Sequence, residues 1–163
     1  MKLLFDTHAF IWWDGAPANL STHVLALCQD PANTLLLSVA SVWEMQIKLH
    51  LGKLKLSLPL AEIIEGQRRA NITAQSWRLL GYIQRSKQLL TPDMGIKAAT
   101  LRCNTNNIEV LPRALDHVLV LDTLPDHHKD PFDRLLIAQA IVEGATLMSN
   151  DPILQKYSAK LVW

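Results

Sequence analysis

Five short apolar runs constrain the fold of this chain most, because none of them alternates with polar residues. A strand with one face in water alternates apolar and polar side chains, whereas a strand buried on both faces does not. The runs are Leu3-Leu4-Phe5, Leu35-Leu36-Leu37, Ile108–Leu111, Thr146-Leu147-Met148 and Leu161-Val162-Trp163. The sequence therefore predicts a sheet that is covered on both sides.

Helical patterns lie between these runs. The predicted helices are Ser41–His50, Leu60–Arg69, Ala114–Leu121 and Pro131–Glu143. The last of them is apolar almost all round, so we expect it to be buried between other elements. Strands that alternate with helices predict an α/β fold with a central parallel sheet. In such sheets ligands bind beyond the carboxyl ends of the strands, and we expect a functional site at that edge.

One connection, Asn71–Asn107, is long for a link between a helix and a strand. Its apolar clusters are interrupted at Pro92, and we interpret it as an additional helical insertion near 71–107. No internal repeat and no low-complexity tract accompanies it. With 163 residues, the chain is predicted to form a single domain over residues 1–163.

Composition excludes several classes of protein. A hydrophobic fraction of 49% and a charged fraction of 19% are typical of a globular chain rather than a disordered one. The net charge of +1 gives no sign of a polyanion partner at the level of the whole chain. No apolar run approaches the roughly 18–20 residues that span a bilayer, so we expect no membrane and a cytoplasmic location. The spacing of Cys28 and Cys103 is typical of neither a metal site nor a redox motif.

Four acidic residues are candidates for a functional site, although each has an ordinary structural explanation. They are Asp6, Glu44, Asp133 and Asp151. Asp6 and Asp151 each stand where a helix or turn begins, so both could be caps. Glu44 could pair with Lys48 one turn later, and Asp133 falls in the first turn of a helix, where an anion is favoured. Taken singly, each acid is better explained in this way.

Their positions together favour a shared site. Asp6 and Asp151 follow the first and fourth strands, and Asp133 opens the helix that leads into the fourth strand. Glu44 interrupts an otherwise apolar helix. Converging carboxylates repel one another unless a cation neutralises them. Oxygen ligands without clustered His or Cys favour Mg²⁺ or Mn²⁺ over zinc, and these ions support phosphodiester hydrolysis by a metal-activated water.

Several segments, in order along the chain, resemble a known family. They are Leu3–Trp13, Ser38–Leu54, Leu124–Ala140, Leu147–Asp151 and the terminal Val162-Trp163. On these segments the chain resembles PIN-domain ribonucleases of the VapC type, which are toxins of type II toxin–antitoxin systems. The resemblance covers nearly the whole sequence outside the long connection, which is much shorter in the family.

The resemblance implies a three-layer α/β/α sandwich whose four acids form the catalytic site. It implies that Mg²⁺ or Mn²⁺ binds mainly through Asp6 and Asp133, with Glu44 and Asp151 as the supporting pair. Thr7 and Ser149 match hydroxyl positions beside the metal ligands and would orient them. The activity implied is endonucleolytic cleavage of RNA. The partners implied are a small cognate antitoxin and a second copy of the chain, in a homodimer.

Other polar residues near the acids have two explanations each. Arg134 could hold a substrate phosphate or be a solvated side chain in the first turn of its helix. Lys48 could belong to a basic rim for RNA or to a solvated helix end. His127 and His128 precede the third acid without metal-ligand spacing, and we expect both to be solvated loop residues.

Two alternatives remain open from the sequence. The first is a catalytically weak or inactive PIN-fold module that binds RNA or protein; loss of site acids would be its signature, and all four are present. The second is another phosphoryl-transfer enzyme with a doubly wound sheet. Haloacid-dehalogenase-like enzymes need Asp-x-Asp after the first strand, whereas this chain has Asp6-Thr7-His8. The sequence also lacks a P-loop and a Gly-x-Gly-x-x-Gly motif.

Overall fold

A computed structural model describes residues 1–68 and 108–163 of the chain. Within these ranges the predicted strands are confirmed as β1 (Lys2–Phe5), β2 (Thr34–Ser38), β3 (Ile108–Leu111), β4 (Thr146–Met148) and β5 (Lys160–Val162). They form one parallel sheet in the order β3-β2-β1-β4-β5. The helical insertion predicted near 71–107 lies outside the described residues.

The described helices are α1 (Thr7–Gly15), α2 (Thr22–Gln29), α3 (Val39–His50), α4 (Leu60–Arg68), α5 (Leu115–Val120) and α6 (Pro131–Glu143). Helix α3 begins two residues before its predicted start, because the Ser38 hydroxyl caps it by accepting a hydrogen bond from the backbone N–H of Ala40. Helix α2 was absent from the prediction, although Ser21 caps it in the same manner. In the part of the chain that the structure describes, every helix is too short or too polar to cross a bilayer.

Both faces of the sheet are covered, as the absence of alternation predicts. In β1 the side chains of Leu3 and Phe5 pack with α1, α2, α3 and α4, whereas Leu4 packs with α6 on the opposite face. All three side chains are fully buried. Burying a large apolar side chain contributes roughly 1.5–3 kcal/mol to the free energy of unfolding. Because successive side chains of β1 enter opposite cores, this strand stabilises both of them. The result is a three-layer α/β/α arrangement.

The strand order places a topological switch point between β1 and β4. From β1 the chain moves outward through β2 and β3, and it then returns to the other side of β1 to form β4 and β5. The backbone N–H of Asp6 donates to the carbonyl of Met148 at 3.2 Å, which continues the pairing of β1 and β4 past the end of β1. The residues that follow these two strands therefore lie side by side at the carboxyl edge of the sheet.

Helix α6 brings a further residue to the same edge. It ends at Gly144, whose φ of 61° lets the backbone N–H of Ala145 bond to the carbonyl of Ala140 at 2.9 Å. This tight reversal leads directly into β4, so α6 and β4 run in opposite directions. The first turn of α6, which contains Asp133, consequently lies near the carboxyl end of β4.

Candidate active site

Asp6, directly after β1, is buried at the switch point. Its carboxylate caps α1 by accepting a hydrogen bond from the backbone N–H of Ala9 at 2.6 Å, so the predicted capping role is present. The Ser149 side chain, which follows β4, hydrogen-bonds to the same carboxylate. Burial raises the pKa of Asp6, and these hydrogen bonds oppose the rise without cancelling it. Asp6 is thus a buried acid that is costly to ionise in the metal-free protein.

Glu44 lies on α3 and is only 8% exposed. The Thr7 hydroxyl donates a hydrogen bond to its Oε2 atom, and Lys48 Nζ lies 2.6 Å from its Oε1 atom. The helical pair with Lys48 that the sequence indicates is therefore formed. Because Thr7 is the first residue of α1, its hydrogen bond ties the end of β1 to α3. Both oxygens of Glu44 are oriented by side chains that the sequence places beside the site.

Asp133 occupies the first turn of α6, which Asp130 caps through a 2.8 Å hydrogen bond from the backbone N–H of Phe132. Burial raises the pKa of Asp133 to about 6, and the negative charges of Asp130, Glu44 and Asp6 add to this shift. Asp133 therefore lies within electrostatic range of Asp6 and Glu44, whereas the described residues whose ligand atoms lie within 4.8 Å of one another are His128, Asp133 and Asp151.

Asp151 follows β4 by way of Ser149. Its backbone N–H donates to the Ser149 hydroxyl oxygen at 3.2 Å, and its Oδ1 atom accepts from the backbone N–H of Ile153 at 2.8 Å. Local hydrogen bonds therefore fix this carboxylate in a turn, as expected of an Asp before a proline. Its second oxygen, Oδ2, points at a loop residue that the sequence predicts to be solvated.

That residue is His128, and the expectation of a solvated loop side chain is wrong for it. Its Nε2 atom lies 3.2 Å from Oδ2 of Asp151 and 3.4 Å from Oδ2 of Asp133, and its side chain is 13% exposed. His127 instead packs edge-on against the ring of Tyr157 at the surface. The sequence does show two adjacent histidines shortly before a helix that begins with acidic residues. Their spacing does not reveal which of the two faces the acids.

Arg134 holds the loop that carries His128. Its guanidinium donates to three backbone carbonyl oxygens, those of Pro125 at 2.8 Å, Leu121 at 3.2 Å and Leu124 at 3.3 Å. These contacts differ from those of a solvated side chain, and the contact of Arg134 with a substrate phosphate stays a prediction. Lys48 likewise contacts Glu44, although its side chain is 29% exposed and reaches the surface.

Truncation of Arg134 is expected to destabilise the protein. The Arg134→Ala variant should lose roughly 2–3 kcal/mol of unfolding free energy, because a hydrogen bond to a charged group contributes about 1.5–3 kcal/mol and the carbonyls regain water in part. Urea-induced unfolding measures this loss. The matched control is Asp126→Ala, which removes the ion pair with Arg134. That variant should unfold like the wild type because the Asp126 side chain is 96% exposed. Equal stability of both variants would contradict the structural role.

The donor set fits a hard divalent cation. Burial raises the pKa of both Asp6 and Asp133, and neighbouring carboxylates add to the rise for Asp133, so a bound cation would favour the ionised form of each acid. Among the described residues, ligand atoms of His128, Asp133 and Asp151 lie within 4.8 Å of one another. Carboxylate oxygens predominate around this point, which is the ligand chemistry that Mg²⁺ and Mn²⁺ prefer.

Comparisons with known proteins agree with this architecture. Residues 3–160 match a family model described as the PIN domain. Among solved structures, the chain is similar to VapBC2 from Rickettsia felis bound to a DNA fragment from their promoter, with a TM-score of 0.55 and 12% sequence identity. That match covers 99% of this chain and 98% of the other, and at this identity it shows the fold alone. A search of curated proteins finds no match.

Proposed function

The chain belongs to the PIN-domain family, and on that premise we propose that it is a Mg²⁺- or Mn²⁺-dependent endoribonuclease that acts as the toxin of a type II toxin–antitoxin pair. PIN domains are generally nucleases. The observation that carries the proposal is the cluster of Asp133, Asp151 and His128 at the carboxyl edge of the sheet, where the pKa of Asp133 is raised to about 6 and the charges of Asp6 and Glu44 contribute to the shift. The likeness to VapBC2 agrees with the VapC-type resemblance of the sequence motifs.

In this proposal Asp6 and Asp133 are the principal metal ligands, with Glu44 and Asp151 completing the catalytic set. A bound Mg²⁺ or Mn²⁺ supplies a Lewis acid for a phosphoryl oxygen and lowers the pKa of a water molecule in its shell. Hydrogen bonds within the chain hold the carboxylates of Glu44 and Asp6 in place without the cation. Thr7 orients Glu44 and Ser149 orients Asp6, each through a side-chain hydrogen bond.

An aromatic surface beside the acids supports a nucleic-acid substrate. Trp43, which precedes Glu44, is 51% exposed and packs edge-to-face with Phe132 at a centroid distance of 5.5 Å. The guanidinium of Arg113 lies 6.0 Å from the centroid of the Trp43 ring. Exposed aromatic rings flanked by cations bind the bases and phosphates of single-stranded nucleic acids. This surface favours an unpaired stretch of RNA as the substrate.

The partners belong to the same proposal. The VapC-type resemblance implies a small antitoxin that silences the site, and it implies a homodimer. We propose a cytoplasmic location for the protein as well. The alternative of a catalytically inactive binding module has no observation in its favour, because none of the four acids is lost. Binding of RNA without cleavage would be its signature.

RNA cleavage by the purified protein tests the proposed function. We expect a folded RNA that contains unpaired loops to be cut in the presence of Mg²⁺ or Mn²⁺ and to remain intact in EDTA, with cleavage restored when Mn²⁺ is added in excess of the chelator. The fragments are expected to carry a 5′-phosphate and a 3′-hydroxyl. Degradation that persists in EDTA would contradict a metal-dependent mechanism. RNA that is bound but never cut would support the binding module instead.

A further inference from the structure

The imidazole of His128 is held in one tautomer by its own loop. The backbone N–H of Asp130 donates a hydrogen bond to His128 Nδ1 at 3.1 Å. A backbone N–H can only donate, so Nδ1 must present its lone pair. In a neutral imidazole one nitrogen is the donor and the other the acceptor. The ring hydrogen of His128 is therefore on Nε2.

The Nε2–H group faces two carboxylates of the candidate site. The group hydrogen-bonds to Oδ2 of Asp151 at 3.2 Å, and Oδ2 of Asp133 lies 3.4 Å from the same nitrogen, where the N–H dipole attracts its charge. We propose that His128 is a positioning residue, a neutral donor that holds Asp151 in place beside Asp133 through Nε2–H and does not itself bind the cation. This inference rests on the proposed function, since it concerns the same metal site.

The competing assignment makes His128 a metal ligand, since it lies close enough to Asp133 and Asp151 to share an ion with them. A histidine that binds a metal through one nitrogen donates its other N–H to a carboxylate, a carbonyl or water. Here Nδ1 meets a donor instead of an acceptor. Coordination through Nε2 would leave neither nitrogen with a hydrogen, which requires an imidazolate anion beside two carboxylates. The surroundings of Nδ1 therefore oppose coordination.

The loop holds the ring in this position through contacts outside the acidic cluster. The backbone N–H of His128 donates to the Tyr157 hydroxyl at 2.7 Å, and Tyr157 is buried. Arg134 holds the preceding part of the loop through its carbonyl contacts. The donor is thus fixed by the fold and does not depend on the cation for its placement. It donates to the carboxylate that follows β4 and lies beside the carboxylate of α6.

Mn²⁺ binding to two variants tests whether the donor is needed. Glutamine can place an amide N–H near the position of Nε2, whereas leucine is of similar size and has no donor. Because the amide oxygen of glutamine can also bind Mn²⁺, the nitrogen coupling in the wild-type complex distinguishes a donor from a ligand. We expect His128→Leu to weaken Mn²⁺ binding by about 10–100-fold, the usual effect of losing an outer-shell partner. We expect His128→Gln to restore most of that affinity. Isothermal titration calorimetry on the full chain measures both, with circular dichroism to verify folding.

The wild-type protein provides a readout that needs no variant. Pulsed electron paramagnetic resonance of its Mn²⁺ complex should show no ¹⁴N coupling from a directly bound histidine. A coupling of that kind, a His128→Gln variant as weak as a folded His128→Leu, or wild-type affinity in His128→Leu would each overturn the inference while leaving the metal site intact. A wild-type protein that binds no Mn²⁺ would overturn the proposed function as well, so the two failures are distinguishable.

Discussion

Replacing Asp6 with asparagine is expected to reduce RNA cleavage by at least about 100-fold, because loss of an outer-shell partner alone costs about 10–100-fold and Asp6 is proposed to bind the cation directly. Asparagine caps a helix as well as aspartate does, so the hydrogen bond from Ala9 to this side chain should survive. The substitution therefore removes a charge at the site with little change in the fold. Initial rates of RNA cleavage at saturating Mn²⁺ measure the effect.

The matched control for this variant is Asp116→Asn. Asp116 is an exposed acid in the first turn of α5 and is not one of the four proposed site acids. Its replacement makes the same chemical change as Asp6→Asn. We expect it to cleave RNA at the wild-type rate. If a correctly folded Asp6→Asn protein also retained the wild-type rate, Asp6 would not be a metal ligand and the proposed mechanism would be wrong.

Replacing Asp133 with asparagine is expected to abolish cleavage and, in the opposite direction, to stabilise the metal-free protein. The pKa of Asp133 is raised from its usual 3.8 to about 6, so the folded state binds this proton more tightly than the unfolded state does. Protonated Asp133 therefore contributes favourably to the free energy of unfolding. That contribution is fully present below about pH 4 and is lost as the pH rises through about 6. At neutral pH, ionised Asp133 costs the metal-free protein up to roughly 3 kcal/mol, at about 1.4 kcal/mol for each pH unit of the shift.

Urea-induced unfolding in EDTA between pH 4 and pH 8 tests this second prediction. The free energy of unfolding of Asp133→Asn should exceed that of the wild type at pH 7, and the difference should shrink toward pH 4. Mn²⁺ should stabilise the wild type more than the variant, because the stabilisation by a ligand of the folded state grows with the logarithm of its affinity. An Asp133→Asn protein that is less stable than the wild type at pH 7 in EDTA would contradict this account of the cluster.

The sheet was predictable because its constraints are local. Strands buried on both faces cannot alternate, so each apolar run marks one strand by composition alone. Helix α6 was bounded correctly for the same reason, since Pro131 begins it after a capping Asp130 and Gly144 ends it in a left-handed conformation. Helix α3 begins earlier than predicted because its cap, Ser38, is also the last residue of β2. Spacing of apolar residues does not reveal a residue with two roles.

The candidate site was predictable only in part. Asp6 and Asp151 follow strands that parallel topology brings to one edge, so chain position alone placed them. His128 was missed because its contact with Asp151 spans 23 residues and depends on how the loop is anchored. Tyr157 and Arg134 provide that anchoring, and both act through backbone atoms of the loop, which leave no signature in the sequence.

The central claim is that carboxylates from separate elements bind one divalent cation together, and Mn²⁺ titration tests it most directly. Calorimetric titrations of the wild type, Asp6→Asn, Asp151→Asn and the exposed-acid control Asp116→Asn should be compared in the same buffer. The account predicts saturable Mn²⁺ binding to the wild type and the control, and greatly weakened binding to both site variants. Identical Mn²⁺ binding by all four proteins, or no binding by the wild type, would contradict it.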